Sequence, residues 1–265
     1  MIKHHKQRLR LIVAAVSLSI LVACAAPATR AFPISDAELR QEQRMQQEMA
    51  RKYPPKKIVR KHRELAFYQN RLLKVARPLQ TAAKQIVGNN EPVTFDYKVI
   101  DRAGLIAWTN GKSVVVTTEM MDFLETDKEL ATVIAHELSH NIMGHHAKQS
   151  QNYVLGALLD IAAGAAGGVN TGGIFSSIGS MSYSQAFENE ADYVGVYMMA
   201  IAGYDVSNVH NIWRKMTVQT QSGVQASFFS SHPSNAERYI RLKRAGAEVL
   251  AKKQAGKQLI PNFDA

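Results

Sequence analysis

The stretch from Thr126 to His146 constrains this chain more than any other. Thr126 with Glu129 three residues on forms a capping box, and Leu130, Val133, Ile134, Leu138 and Ile142 recur at helical spacing. The pattern predicts a buried helix running to about His146. Inside it stands His136-Glu137-Leu138-Ser139-His140. At 3.6 residues per turn the two imidazoles stack on one face, about 6 Å apart at Cβ, so both reach a single metal ion while Glu137 lies beside them as a base for water. With 9 His among 265 residues, this arrangement has an accidental expected count on the order of 0.01. The apolar flanks also argue against a pair of surface histidines, because burying imidazoles without partners is costly.

A hydrolytic zinc site needs three protein ligands and one open position. Some fifty residues downstream, Glu188-Asn189-Glu190-Ala191-Asp192 falls in the next strong helical pattern, from about Ser184 to Ala202. Glu188 and Asp192 share a face, so Glu188 is the expected third ligand and Asp192 the acceptor that orients a ligand histidine. Glu190 lies about 200° around that helix from Glu188 and is the weaker ligand candidate. The cofactor expected is one Zn2+ per chain.

The N-terminus carries an address. Lys3, Lys6, Arg8 and Arg10 precede the uncharged residues 11–23, a run too short for an ordinary membrane span, and small residues follow. The sole cysteine, Cys24, ends Leu21-Val22-Ala23-Cys24. This resembles a bacterial lipobox, which implies a signal peptide over 1–23, lipidation at Cys24 and, with Ala25 next, an outer-membrane anchor facing the periplasm of a Gram-negative cell. With that thiol acylated no disulfide is available, so core burial must hold the domain together.

Residues 24–60 read as a tether and a polar helix (35–52), and residues 61–265 as the catalytic domain. The formal charge of +10 includes a basic run from Arg51 to Arg63, for which secretion makes nucleic acid an unsuitable partner. A helix over 64–86, interrupted near Pro78, precedes β-rich runs at 93–100, 105–108 and 113–117; Asn110-Gly111 marks a hairpin. The expected fold class is α+β, mainly helical, with a small antiparallel sheet before the active-site helix. Gly156 to Ser182 is rich in small residues and is expected to form a mobile lid. Further helices are expected over 206–220 and 234–253.

The motifs ATVIAHELSHNIMGHHAK, FENEADYVGVYMM and SSHPSNAERYIRL, in this order, resemble the family-forty-eight metallopeptidases, which include HtpX, the CAAX prenyl proteases, the Oma-type mitochondrial protease and the BepA-like periplasmic enzymes. The resemblance covers roughly residues 60–250 and implies a zincin-like fold. It places the ligands at His136, His140 and Glu188, the general base at Glu137 and the orienting aspartate at Asp192. It also brings His232 and Arg238 to the catalytic centre: Arg238 to bind an oxyanion or a substrate carboxylate, His232 either to stabilise the transition state or to occupy the open zinc position in a resting form. His145, one helix turn too far from the metal, is expected to be structural. The family's Asn-Ala-Phe and Pro-Gly-Gly element is replaced by GLIAWTNGKSVVVT. Ser113, Val114, Val115, Val116 and Thr117 are the expected edge strand that holds a peptide substrate.

The implied activity is zinc-dependent cleavage of unfolded or misassembled envelope proteins. The rival is a zinc-containing periplasmic chaperone or binding module for outer-membrane protein assembly, which has no need of Glu137. Neither the substrate nor the oligomeric state is legible in the sequence.

Overall fold

The computed structural model describes residues 32–53, 58–59, 61, 63–88, 93–167, 185–220, 232 and 235–263. Cys24 and the signal-like segment lie outside them. The elements in chain order are α1 (Asp36–Lys52), α2 (Leu65–Val87), β1 (Asp96–Ile100), β2 (Ala107–Thr109), β3 (Ser113–Thr117), α3 (Thr118–Phe123), α4 (Asp127–Ile142), α5 (His145–Gly167), α6 (Gln185–Ile201), α7 (Asn211–Thr220) and α8 (Ala236–Gln254). This is the mainly helical α+β class with a small sheet.

Two compact units are present: Ala28–His146 with Ser182–Ala265, and Met1–Pro27 with Ala147–Met181. The first holds the core. Helices α2, α4 and α6 pack on one another, burying Leu72, Val75 and Leu79 against Leu130, Ile134 and Leu138 and against Val194 and Met198. Of the second unit, α5 beyond His146 is described; Gly156 to Gly167, expected in a lid, continue its helix, and 168–182 lie outside the described residues. No helix among the described residues is long and apolar enough to cross a membrane.

The sheet has the order β1-β3-β2. Asn110-Gly111 makes the expected hairpin between β2 and β3, with the Asn110 Oδ1 accepting from the amides of Lys112 and Ser113 at 3.0 and 2.8 Å. β1, however, runs parallel to β3, so the sheet is mixed rather than wholly antiparallel. The expected substrate strand is also relocated. Ser113, Val114, Val115, Val116 and Thr117 form the middle strand, paired on one side with Asp96–Ile100 and on the other, through Val114, Val115 and Val116, with Ala107–Thr109. A strand paired on both sides has no ladder left for a peptide. The outer side of β1 is covered too, because the Gln69 side chain donates to the Tyr97 carbonyl at 2.8 Å and accepts from the Val99 amide at 2.9 Å. Among the described residues this leaves the outer edge of β2 without a strand or side-chain cover of that kind.

Three further boundaries depart from expectation. α2 passes through Pro78 without ending. The short helix α3 begins where Thr117 caps it, its side chain accepting from the Met120 amide, a signal hidden in the strand pattern. The polar helix α1 is docked on the domain: buried Glu42 takes two hydrogen bonds from Arg214, at 3.0 and 2.7 Å, and Arg241 donates to the Phe32 carbonyl at 3.0 Å. The folded unit therefore starts well before residue 61.

Gly246 lets α8 close on the turn after α6. A Cβ there would stand 2.9 Å from the Val206 carbonyl oxygen, a backbone atom with little freedom to move. Ala for Gly inside a helix ordinarily gains about 1 kcal/mol, but this overlap costs roughly 1–3 kcal/mol and should outweigh it. Gly246→Ala is expected to lower the thermal midpoint by a few degrees, read by calorimetry; a higher midpoint would show that the helices separate at no cost.

Candidate metal centre

α4 is set by its cap as the sequence indicates: the Thr126 hydroxyl accepts from the Glu129 amide at 3.1 Å and the Glu129 carboxylate from the Thr126 amide at 3.3 Å. Every residue from Leu130 to His140 is buried. α6 lies against this helix because residue 195 is glycine; a Cβ there would already touch the Ala135 and His136 backbone at 3.4 Å. That close approach seats Glu188, about two turns earlier on α6, beside the histidine pair.

The donor atoms converge. His136 Nε2 is 3.1 Å from His140 Nε2, and Glu188 places Oε2 3.4 Å from the first and Oε1 3.3 Å from the second. Donors held about 2.0–2.1 Å from one tetrahedral ion stand about 3.3 Å from each other, so these separations fit a common divalent cation. His232 joins the group, with Nδ1 3.2 Å from His136 Nε2 and 2.9 Å from Glu188 Oε1. All four residues are buried, and their donor atoms lie within 4.8 Å of one another. Two or three imidazole nitrogens with one carboxylate oxygen form a donor set that suits zinc among other borderline ions.

Glu137 is fully buried, and among the described residues neither of its carboxylate oxygens takes a hydrogen bond. His232 Nε2 lies 3.4 Å from its Oε1. Burial raises the Glu137 pKa, opposed by the charges of His232 and His136. A carboxylate without donors at the wall of a donor cluster is costly to bury. It fits a base whose partner is a water or substrate atom.

The expected orienting residue is in place: Asp192 Oδ1 is 2.9 Å from His136 Nδ1. Arg238 is 1% exposed, with Nε 2.8 Å from Asp192 Oδ2, Nη2 2.9 Å from Asp192 Oδ1 and Nη1 2.7 Å from Glu188 Oε2. Its Cζ lies 4.1 Å from the Trp213 ring centroid. Arg238 thus clamps two carboxylates of the group.

These charges set the local acid–base chemistry. Burial raises the Glu188 carboxyl, but the charges of Arg238, His232 and His136 outweigh it and hold the pKa well below the usual range. Burial likewise disfavours a charged His136, yet Glu188 and the Asp192 hydrogen bond lift its pKa to about 9. His140 is pushed well down, first by burial, with the neighbouring His136 and His232 adding to it against Glu188.

The sequence misplaced the end of α4 and with it the position of His145. The expected helix to His146 ends at Ile142, and Gly144, at φ +66°, turns the chain so that α5 starts at His145. Instead of standing a turn too far out, His145 folds back until its Nδ1 is 2.8 Å from His140 Nδ1. Its Nε2 is 2.7 Å from Glu190 Oε2. Glu190, the weaker ligand candidate, is 1% exposed. The glycine after the last apolar position was the available signal for the break.

Over residues 69–245 the sequence matches peptidase family M48. It is 29% identical over 174 residues to the metalloprotease LoiP of Escherichia coli, covering 62% of this chain and 67% of that protein. It is 25% identical over 153 residues to the mitochondrial metalloendopeptidase OMA1 of Schizosaccharomyces pombe, covering 54% and 44%. To the beta-barrel assembly-enhancing protease of Yersinia pestis it is 26% identical over 159 residues, covering 54% and 33%. The match thus spans about two thirds of LoiP and less than half of the other two proteins. Since the matched stretch is well over half of the sequence and contains the whole buried donor group, this chain belongs to peptidase family M48.

Proposed function

We propose that this protein is a zinc endopeptidase of the cell envelope that cleaves unfolded or misassembled proteins. The observation that carries the reading is the convergence of His136, His140 and Glu188 beside a buried Glu137 carboxylate with no hydrogen-bond donor of its own. A binding module gains nothing from such a carboxylate, whereas hydrolysis requires it.

His136, His140 and Glu188 would hold the ion, which when bound supplies Lewis-acid chemistry, acidifying water and polarising a peptide carbonyl. Glu137, made more basic by burial, takes a proton from water and returns it to the leaving amine. Asp192 keeps His136 in the tautomer whose Nε2 is free to donate its lone pair, and Arg238 fixes both Asp192 and Glu188. His232, with Nδ1 2.9 Å from Glu188 Oε1 and Nε2 3.4 Å from Glu137 Oε1, would fill the open ligand position in a resting form and withdraw when substrate binds. The accepting strand for a peptide falls to the outer edge of β2. That strand packs on α4 and is tied to it by Thr109, whose hydroxyl donates to Asn141 Oδ1 at 2.6 Å. Backbone pairing there would favour extended, unfolded chains.

The envelope location is supported by the signal-like residues 1–23, by the Cys24 motif and by the likeness to a beta-barrel assembly-enhancing protease. Acylation at Cys24 would anchor the protein to the outer membrane, with its catalytic unit in the periplasm.

Purified protein incubated with casein should produce fragments that a chelator suppresses. Glu137→Gln is expected to retain about one zinc per chain by elemental analysis while losing cleavage by about 10²–10⁴-fold; Glu188→Gln should lose both. Wild-type turnover in Glu137→Gln would refute the assigned base. Radiolabelled palmitate should enter the wild type but not Cys24→Ser, and equal labelling of the two would end the lipoprotein assignment.

A further inference from the structure

The metal-ligating face of α4 has a second layer that the proposed mechanism does not use. His136 is backed by Asp192 at its Nδ1. His140 has no carboxylate at the corresponding atom; its Nδ1 meets His145 Nδ1 at 2.8 Å, and His145 Nε2 meets Glu190 Oε2 at 2.7 Å. Both His145 and Glu190 are buried, and the His145 ring stacks on Phe187, with centroids 4.5 Å apart and planes 15° from parallel. Three elements contribute to this layer: α4, the start of α5 turned back at Gly144, and α6.

We infer that Glu190 and His145 form a positioning relay that fixes the His140 tautomer and so makes its Nε2 available to the metal. The inference rests on the metal-centre reading of the donor group and goes one layer further. Proton accounting decides the direction. Glu190 as a carboxylate only accepts, so His145 Nε2 carries the hydrogen facing it. A neutral His145 then has a bare Nδ1, which accepts from His140 Nδ1–H. A neutral His140 with its hydrogen on Nδ1 has a lone pair on Nε2, the atom 3.1 Å from His136 Nε2 and 3.3 Å from Glu188 Oε1. For a neutral His145 the reversed chain sets a bare Nε2 against a carboxylate oxygen at 2.7 Å, two acceptors with no proton between them in a buried place. The relay therefore gives His140, through an intermediary, what Asp192 gives His136 directly. His145 and Glu190 touch neither substrate nor metal; they act through His140.

The geometry also explains why Gly144 ends α4. A continuous helix would carry residue 145 away from residue 140, since five residues span about 500° and leave the two on different faces. The left-handed turn at Gly144 is what returns the imidazole to its partner.

The test uses the full chain with Glu190→Gln, His145→Phe and His145→Gln. Zinc affinity is read by competition with a chromophoric chelator. Glu190→Gln, of unchanged size, can turn its amide to donate to His145 and reverse the chain; it is expected to weaken zinc binding by about 10–100-fold. His145→Phe, which keeps a ring against Phe187, should lose a similar factor. His145→Gln, whose amide oxygen can still accept from His140 Nδ1–H, should recover part of it, a rescue that simple packing would not produce. Long-range proton–nitrogen correlation spectra of the zinc-loaded, histidine-labelled wild type should show the His145 hydrogen on Nε2. If His145→Phe fails to fold, Glu190→Gln decides alone. Zinc affinity of Glu190→Gln within about twofold of the wild type, or a His145 hydrogen on Nδ1, would overturn the relay. A folded wild type that binds no zinc would instead overturn the metal centre itself, and the relay with it.

Discussion

The buried bridge from Arg238 to Asp192 and Glu188 is the interaction on which this architecture depends. It joins α8 to α6 and, through the 2.9 Å contact of Asp192 with His136, to α4. Two carboxylates and an imidazole cluster cannot be carried into a core without compensation. Leaving one member of such a buried pair unpaired costs about 3–5 kcal/mol, a large share of the stability of any domain. Arg238 supplies the compensation from a third helix, and the Trp213 ring closes over its face. The same bridge that makes the cluster tolerable also fixes the orientation of the third ligand.

Around that bridge the packing is set by small residues at close approaches and by polar side chains that take the place of secondary structure. Gly195 brings α6 against the His136 backbone, and Gly246 lets α8 approach the chain after α6. Gln69 covers β1, and among the described residues no strand or such side chain covers the outer edge of β2. Thr109 ties β2 to the end of α4. Donor geometry and sheet order are thus consequences of one arrangement of helices rather than separate features.

The centre is layered. Innermost are His136, His140, Glu188 and His232; behind them stand Asp192 and Arg238 on one side and His145 and Glu190 on the other. Among the described residues no donor holds either oxygen of Glu137. That contrast separates the groups fixed by buried partners from the one that is not.

The helical class, the capped helix, the shared face of His136 and His140 and the pairing of Glu188 with Asp192 were legible in the sequence because each rests on spacing within one element. A period of 3.6 places His136 with His140 and Glu188 with Asp192 without reference to anything else. The sequence could not assign Ser113–Thr117 to the middle of the sheet, because strand order depends on which distant segment pairs on the second side. Nor could it show Arg238 turned inward, α1 docked through Glu42, or Glu190 buried, since the partners lie tens to more than a hundred residues away. His145 was misplaced by an assumed continuous helix that a single positive φ at Gly144 interrupts. Local periodicity fixes which side chains share a face, whereas burial and charge compensation are decided only when separate faces meet, because the free energy of a buried polar group depends on its neighbours in space.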